Sequence, residues 1–174
     1  HMGEGKSAVI VGGGYIGLEA GSILRQTGMR VTVLEALSRV LQRVTAPVVS
    51  TFYERLHDEE GVRIVTSSLV TAIQGDKRVE RVFCADGSEF DADLVIIAVG
   101  VLPNTELAIK AGLAVDNGVR VDAMLQTDDP AISAIGDLVN FPSPWSARPI
   151  RLESVQNGVD QARAVAARLA GKPA

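Results

Sequence analysis

A short apolar strand that runs straight into three spaced glycines limits what this chain can become more than any other feature. Residues 7–11 (Ser-Ala-Val-Ile-Val) lead into Gly12, Gly14 and Gly17, a G-x-G-x-x-G turn that opens a helical stretch. A second strand-like run, Arg30-Val31-Thr32-Val33-Leu34, ends in Glu35, 23 residues after Gly12. Strand, glycine turn, helix, strand and terminal acid, in that order, are what a dinucleotide-binding βαβ unit needs. Gly12 permits the tight turn, Gly14 lets a pyrophosphate approach bare backbone, and Gly17 lets helix and strand pack closely. The helix N-terminus offers N–H groups and partial positive charge to phosphate. Tyr15 and Ile16, between the second and third glycines, fall in the same cofactor-binding set.

Glu35 bears on which dinucleotide fits. Its carboxylate can accept hydrogen bonds from the adenosine ribose hydroxyls, whereas a 2′-phosphate there meets like charge, so NAD(H) is expected over NADP(H). Arg39 and Arg43 follow closely, either as ligands for such a phosphate or as solvated charges. Glu19 is placed in the first helical turn, where an acid either compensates the helix dipole or points past the phosphates toward the nicotinamide.

Bulk properties exclude several classes. A formal charge of −4 leaves no basic nucleic-acid footprint. The longest apolar run, residues 94–99, is far too short to cross a bilayer, and no secretory leader opens the chain. Residues 1–6 read as a tag and short leader. Cys84 is the one cysteine, so no intrachain disulfide or CxxC redox pair exists, which fits a reducing cytoplasm. It reads as a small apolar strand residue, and His57 as an ordinary helix residue; no metal site is expected.

Further along, Thr45 is expected to cap a helix that begins at Pro47, with Val48, Val49, Phe52, Tyr53 and Leu56 covering a sheet face. A strand over 62–65 precedes an antiparallel meander over 69–74, 78–85 and 89–91, turned at Gly75-Asp76 and Asp86-Gly87. Residues 94–99 read as a strand covered on both faces that ends at Gly100, on the ligand side of an open sheet. Strands over 119–121 and 131–135 follow, the second stopping at Gly136-Asp137. The last helix carries Val155, Val159, Ala162, Val165 and Leu169 on one face, with Gly171 as C-cap and Pro173 preventing continuation. The expected class is α/β: a Rossmann-like domain with a parallel sheet and an antiparallel meander insertion over 7–114, and a second, incomplete segment over 115–174.

Residues 9–20 (Val-Ile-Val-Gly-Gly-Gly-Tyr-Ile-Gly-Leu-Glu-Ala) resemble the NAD segment of FAD-dependent pyridine-nucleotide oxidoreductases, above all the bacterial NADH:ferredoxin reductases that serve cytochrome P450 and dioxygenase systems. Residues 94–104, with Ala98-Val99-Gly100 and Leu102-Pro103-Asn104, are similar to the segment leading back to that family's FAD domain. Residues 132–137 resemble its second flavin motif, and residues 151–157 the stretch that follows on the flavin. The resemblance implies that Asp137 hydrogen-bonds FAD near its ribitol or phosphate, that Val155 lies against the isoalloxazine through its backbone, that Glu153 sits near the ring, and that Glu19 lies close to the nicotinamide. It implies hydride transfer from NADH to FAD and then electron transfer to a [2Fe-2S] ferredoxin, with no general acid or base to name because the cofactors carry the chemistry. The absent CxxC pair sets the chain apart from disulfide reductases of the same architecture.

The chain has one G-x-G-x-x-G fingerprint where the family has two. It therefore reads as a whole NAD-binding domain plus the back half of the FAD domain (115–174), expected to be colourless and nearly inactive alone. The exposed FAD-half segment leaves room for a homo-oligomer. After Phe141 the cations Arg148, Arg151, Arg163, Arg168 and Lys172 outnumber Glu153 and Asp160, as a patch that steers an acidic ferredoxin or as an ordinary mixed surface. Two alternatives stay open: an NADH oxidase, nitrite-reductase or apoptosis-inducing-factor-like flavoprotein module, and a non-catalytic NAD-sensing domain.

Overall fold

The computed structural model describes residues 3–172, so the leader residues His1 and Met2 and the helix stop at Pro173 lie outside the described residues. The chain forms two compact units, divided between Gly100 and Val101.

The first unit runs β1 (Ser7–Val11), α1 (Tyr15–Gln26), β2 (Arg30–Leu34), α2 (Pro47–Glu59), β3 (Val62–Val65), β4 (Val70–Gln74), β5 (Arg81–Cys84), β6 (Glu89–Asp91) and β7 (Leu94–Ile97). Four strands make a parallel sheet in the order β3-β2-β1-β7, and β4-β5-β6 make a separate antiparallel meander, as expected from the sequence. Alternation along β1 shows why. Ile10 packs with Leu24 of α1, Met29, Val31, Val33 and Val62, while Val9 faces Leu34 and the meander residues Val82 and Cys84. Successive side chains thus enter two different cores, one under the helix and one under the meander. Each buried aliphatic side chain contributes about 1.5–3 kcal/mol to holding these layers together. Cys84 is buried there as a small apolar residue, its sulfur accepting from Ser68 Oγ at 3.2 Å. At the strand starts, Ser7 N–H donates to Asp93 at 3.0 Å and Lys6 lies 3.6 Å away. The Ser7 bond, helped by Lys6, holds the Asp93 carboxyl below its ordinary value of 3.8.

Three local expectations need correction here. Strand β7 is four residues long, shorter than the expected 94–99, and sits at the sheet edge beside β1; Leu94 and Ile96 pack into one core and Val95 into the other, so both faces are covered, but only in part, and Ile97 is exposed. Thr45 does not cap α2: Ala46 is the N-cap, and the Thr45 hydroxyl instead donates to the Leu41 carbonyl at 3.2 Å. Of the five apolar residues expected to cover the sheet, Tyr53 packs against Leu18, Val40 and Leu41 and Val49 is half-buried, but helix α2 buries Ser50 and His57 and leaves Val48, Phe52 and Leu56 outside. The loop before it presents backbone groups and Arg39, which only polar side chains can satisfy.

The second unit contains α3 (Glu106–Lys110), β8 (Val119–Arg120), a 3-10 turn (Gly136–Leu138), β9 (Val139–Asn140) and α4 (Val155–Leu169). Helix α3 and its turn, grouped with the first domain from sequence, belong to this unit: Arg120 N–H donates to the Ala114 carbonyl at 2.9 Å. Strands β8 and β9 pair in parallel. The strand expected over 131–135 is not formed. Ala131 N–H is held by Asp129 Oδ1, Ile132 N–H by the Asp129 carbonyl, and Ser133 makes only an isolated bridge to Gln126. The short acid draws this apolar stretch into a turn. Helix α4 ends at Leu169 with Ala170, not Gly171, as its C-cap, Gly171 (φ 66°) following; its apolar residues Val155, Val159 and Leu169 point to solvent while Gln161 is buried.

Candidate nucleotide-binding site

The glycine turn lies between the C-terminal end of β1 and the start of α1, where open parallel sheets place ligands. Gly12 has φ 108°, and a Cβ there would collide with the Ala98 carbonyl oxygen. A Cβ on Gly17 would collide with the Gly12 carbonyl oxygen, so this glycine is what lets α1 approach β1. Gly14 is different: a Cβ there would meet nothing within 4 Å. Its bareness serves no packing purpose in the chain and leaves an open cradle at the mouth of α1. No side chain caps that helix and no acid stands in its first turn. The donors at its start therefore face outward, flanked by exposed Tyr15 and Ile16. A diphosphate fits such a cradle.

Glu35 closes the turn. Gly13 N–H donates to Oε2 at 2.7 Å and Leu37 N–H to Oε1 at 2.8 Å. Each carboxylate oxygen keeps a lone pair, since an ionised carboxylate accepts about four hydrogen bonds. Two fixed acceptors thus remain for a vicinal diol. Glu19 is a correction: α1 begins at Tyr15, so Glu19 lies in the second turn, exposed, and does not compensate the dipole at the first. Gly100 (φ 115°) ends the unit just beyond Ala98, whose N–H donates to the Val11 carbonyl at 2.7 Å.

The loop after Glu35 contains a device that the sequence did not reveal. Arg39 donates from Nη1 to the Thr45 carbonyl (3.0 Å) and Ser50 Oγ (2.7 Å), and from Nη2 to the Gln42 carbonyl (3.0 Å). Ser50, fully buried, donates its own hydrogen bond to the Val40 carbonyl at 2.6 Å. Val40 N–H reaches Glu54 at 3.1 Å, and Leu41 N–H, at a residue with φ 53°, donates to the Gly13 carbonyl at 2.9 Å. Arg39 is thus an internal strut and not a cation free for phosphate; Arg43 stays exposed. The only advance signal was a serine on the inward side of α2. His57 also has partners after all: its ring nitrogens lie 2.9 Å from the Tyr53 carbonyl and 3.2 Å from that of Leu18, tying α2 to α1.

In the second unit, Asp137, Glu153 and Val155 come together at one corner. Gly136 N–H donates to Gln161 Oε1 at 2.7 Å, fixing the turn on α4. Arg151 Nη1 donates to the Asp137 carbonyl at 3.1 Å and to Glu153 at 2.6 Å. Ser154 caps α4 by accepting from Asn157 N–H at 3.1 Å, and Val155 at the first helical position is 86% exposed. The exposed Asp137 carboxylate and a helix N-terminus suit polar groups of a flavin, but a second glycine-opened cradle is absent from the sequence. Asn140 Oδ1, Arg151 Nε, Gln161 Nε2 and Arg168 Nε are buried there without a hydrogen-bond partner among the described residues. The expected basic patch is reduced, since Arg151 turns inward and Arg168 donates to Ser133 Oγ at 2.6 Å. Among the described residues no cluster of metal ligands occurs, and no helix is long and apolar enough to cross a membrane.

Residues 1–162 match the family described as pyridine nucleotide-disulphide oxidoreductase. Putidaredoxin reductase of Pseudomonas putida is 48% identical over 167 residues, 94% of this chain and 40% of that protein. Rhodocoxin reductase of Rhodococcus erythropolis is 45% identical over 98% of this chain and 40% of its own length. The crystal structure of a covalent putidaredoxin reductase–putidaredoxin complex superposes with a TM-score of 0.94 at 46% identity, covering 99% of this chain and 42% of that one. The chain thus spans about two fifths of the length of the relatives it matches. It belongs to the pyridine nucleotide-disulphide oxidoreductase family.

Proposed function

We propose that this family member is the NADH-binding portion of a flavin-dependent ferredoxin reductase. The observation that carries the reading is the empty space over Gly14 at the uncapped start of α1, beside a Glu35 whose oxygens are held in place. The start of α1 holds the diphosphate, and Glu35 takes the adenosine ribose hydroxyls. Glu19, one turn along, and exposed Tyr15 and Ile16 flank the nicotinamide end, and Gly100 borders the same site. When bound, the two cofactors supply hydride transfer from NADH to FAD and onward electron transfer to a [2Fe-2S] ferredoxin. Asp137, Glu153 and the start of α4 at Val155 serve the flavin. The orphaned buried atoms of the second unit support a covering group on that side. The ferredoxin partner is supported by the relatives alone, and a cytoplasmic setting by the single buried thiol.

Calorimetry tests the cofactor reading. NADH is expected to bind about tenfold or more tightly than NADPH, because Glu35 repels a 2′-phosphate and Arg39 is spent inside the loop. Glu35→Ala is expected to narrow that ratio chiefly by weakening NADH, since the variant also frees Gly13 N–H. Equal affinities in the unsubstituted chain would remove the reading.

The outward apolar face of α4 supports a further contact: with the remaining length that the relatives possess, or with a second copy when this chain stands alone. Val159→Asp is expected to reduce such self-association in sedimentation experiments. Unchanged association would exclude α4.

A further inference from the structure

Helix α2 packs inward through polar side chains as well as through Tyr53, which lies against Leu18, Val40 and Leu41. Ser50, Glu54 and His57 bind the loop and α1, while Val48, Phe52 and Leu56, spaced four apart, are 74%, 49% and 37% exposed. They form a stripe about 12 Å long at 1.5 Å per residue. The Arg55 guanidinium lies 5.9 Å over the Phe52 ring and 3.5 Å from Glu59, which keeps the stripe bordered by charge. A surface helix ordinarily turns its whole apolar stripe to the core, and here most of it stays outside.

The charges at the two ends of α2 are reversed as well. Its first turn carries no acid and its N-cap, Ala46, offers no side-chain acceptor. Asp58, Glu59 and Glu60 stand at the C-terminal end, against the negative pole of the dipole. An acidic partner would be repelled at that end, and a basic one would leave the N-terminus without an anion. A second α2 running antiparallel answers both. It sets the partner's Leu56 against Val48 and the partner's Phe52 on Phe52, and brings the acidic end of each helix to the bare N-terminus of the other.

We propose that α2 is a two-fold homodimer surface of this chain, with antiparallel helices joined by Val48, Phe52 and Leu56. Each patch is self-complementary, as a closed dimer requires. The contact is small, so the dimer forms only as concentration rises.

Sedimentation velocity on the full chain, from micromolar to near-millimolar, tests this in the Val159→Asp background, where α4 contacts are silenced. The mass is expected to climb from monomer toward dimer. Phe52→Glu is expected to lower the association constant about tenfold or more. Ala46→Asp separates association from folding. An aspartate N-cap raises the melting temperature, yet fills the place of the partner's acids, so association is expected to fall as stability rises. A monomer at every concentration overturns the proposal, as does association that survives Phe52→Glu or is undiminished by Ala46→Asp.

Discussion

Replacing Gly14 with valine is expected to weaken NADH binding severely while leaving the fold intact. Gly14 sits at φ −81° and ψ −175°, extended backbone that any residue adopts, and a Cβ there touches no other atom of the chain. Folding therefore has no reason to object, and the melting temperature should move by roughly 2 °C or less, the range of an unremarkable surface change. The ligand has every reason to object, because the isopropyl group occupies the space through which a diphosphate reaches the first N–H groups of α1. Loss of that approach is expected to raise the dissociation constant by on the order of a hundredfold, about 2.7 kcal/mol. Titration calorimetry beside a thermal melt reads both quantities. Unaltered affinity would mean that the diphosphate lies somewhere other than over this turn.

Gly17→Ala should do the opposite and strike the fold first. The added methyl would be driven into the Gly12 carbonyl oxygen, a backbone atom that cannot swing aside as a side-chain end can. Relief requires α1 to lift from β1, opening the core in which Leu24 packs on Ile10 and Val33. Overpacking of this kind costs about 3 kcal/mol at its upper range. For a chain of this size that is a fall in melting temperature of roughly 10 °C. Urea denaturation of the variant measures it. Native-like stability would show that helix and strand are less tightly opposed than the glycine implies. The pair of substitutions thus separates two demands on one short motif: packing at Gly17 and, on the proposed reading, approach of the ligand at Gly14.

That separation also explains what could be read in advance. Glycines at positions 12 and 17 declare their role by type, since a positive φ or a backbone-to-backbone approach excludes a side chain there, whereas Gly14 stands out only by the motif that it completes. The alternation in β1 and the turn residues at Asp86-Gly87 likewise carry their meaning locally. Helix α2 could not be read this way. Periodicity told which residues share a face, but not that the loop over 37–45 would claim the polar face for Arg39 and Val40. The stretch 131–135 failed for a related reason: β-branched and small residues suggest a strand, yet Asp129 captures the following amide before a ladder can form. At the site, Glu35 was legible from its place at the end of β2, whereas its bonds to Gly13 and Leu37 depend on a loop path that no residue type announces. Glu19 was misplaced by one helical turn because the start of α1 is set by the glycine turn and not by a capping side chain.

The brace formed by Arg39 and Ser50 constrains anyone who would retool this chain for a phosphorylated cofactor. Conscripting Arg39 as the new anion receptor would pull a strut from beneath the very rim that steadies Glu35. A receptor would have to be grafted onto a side chain that carries no load, such as the exposed Ala36. On the proposed reading, the cofactor preference is therefore written twice, once in a carboxylate and once in an arginine whose duty lies elsewhere.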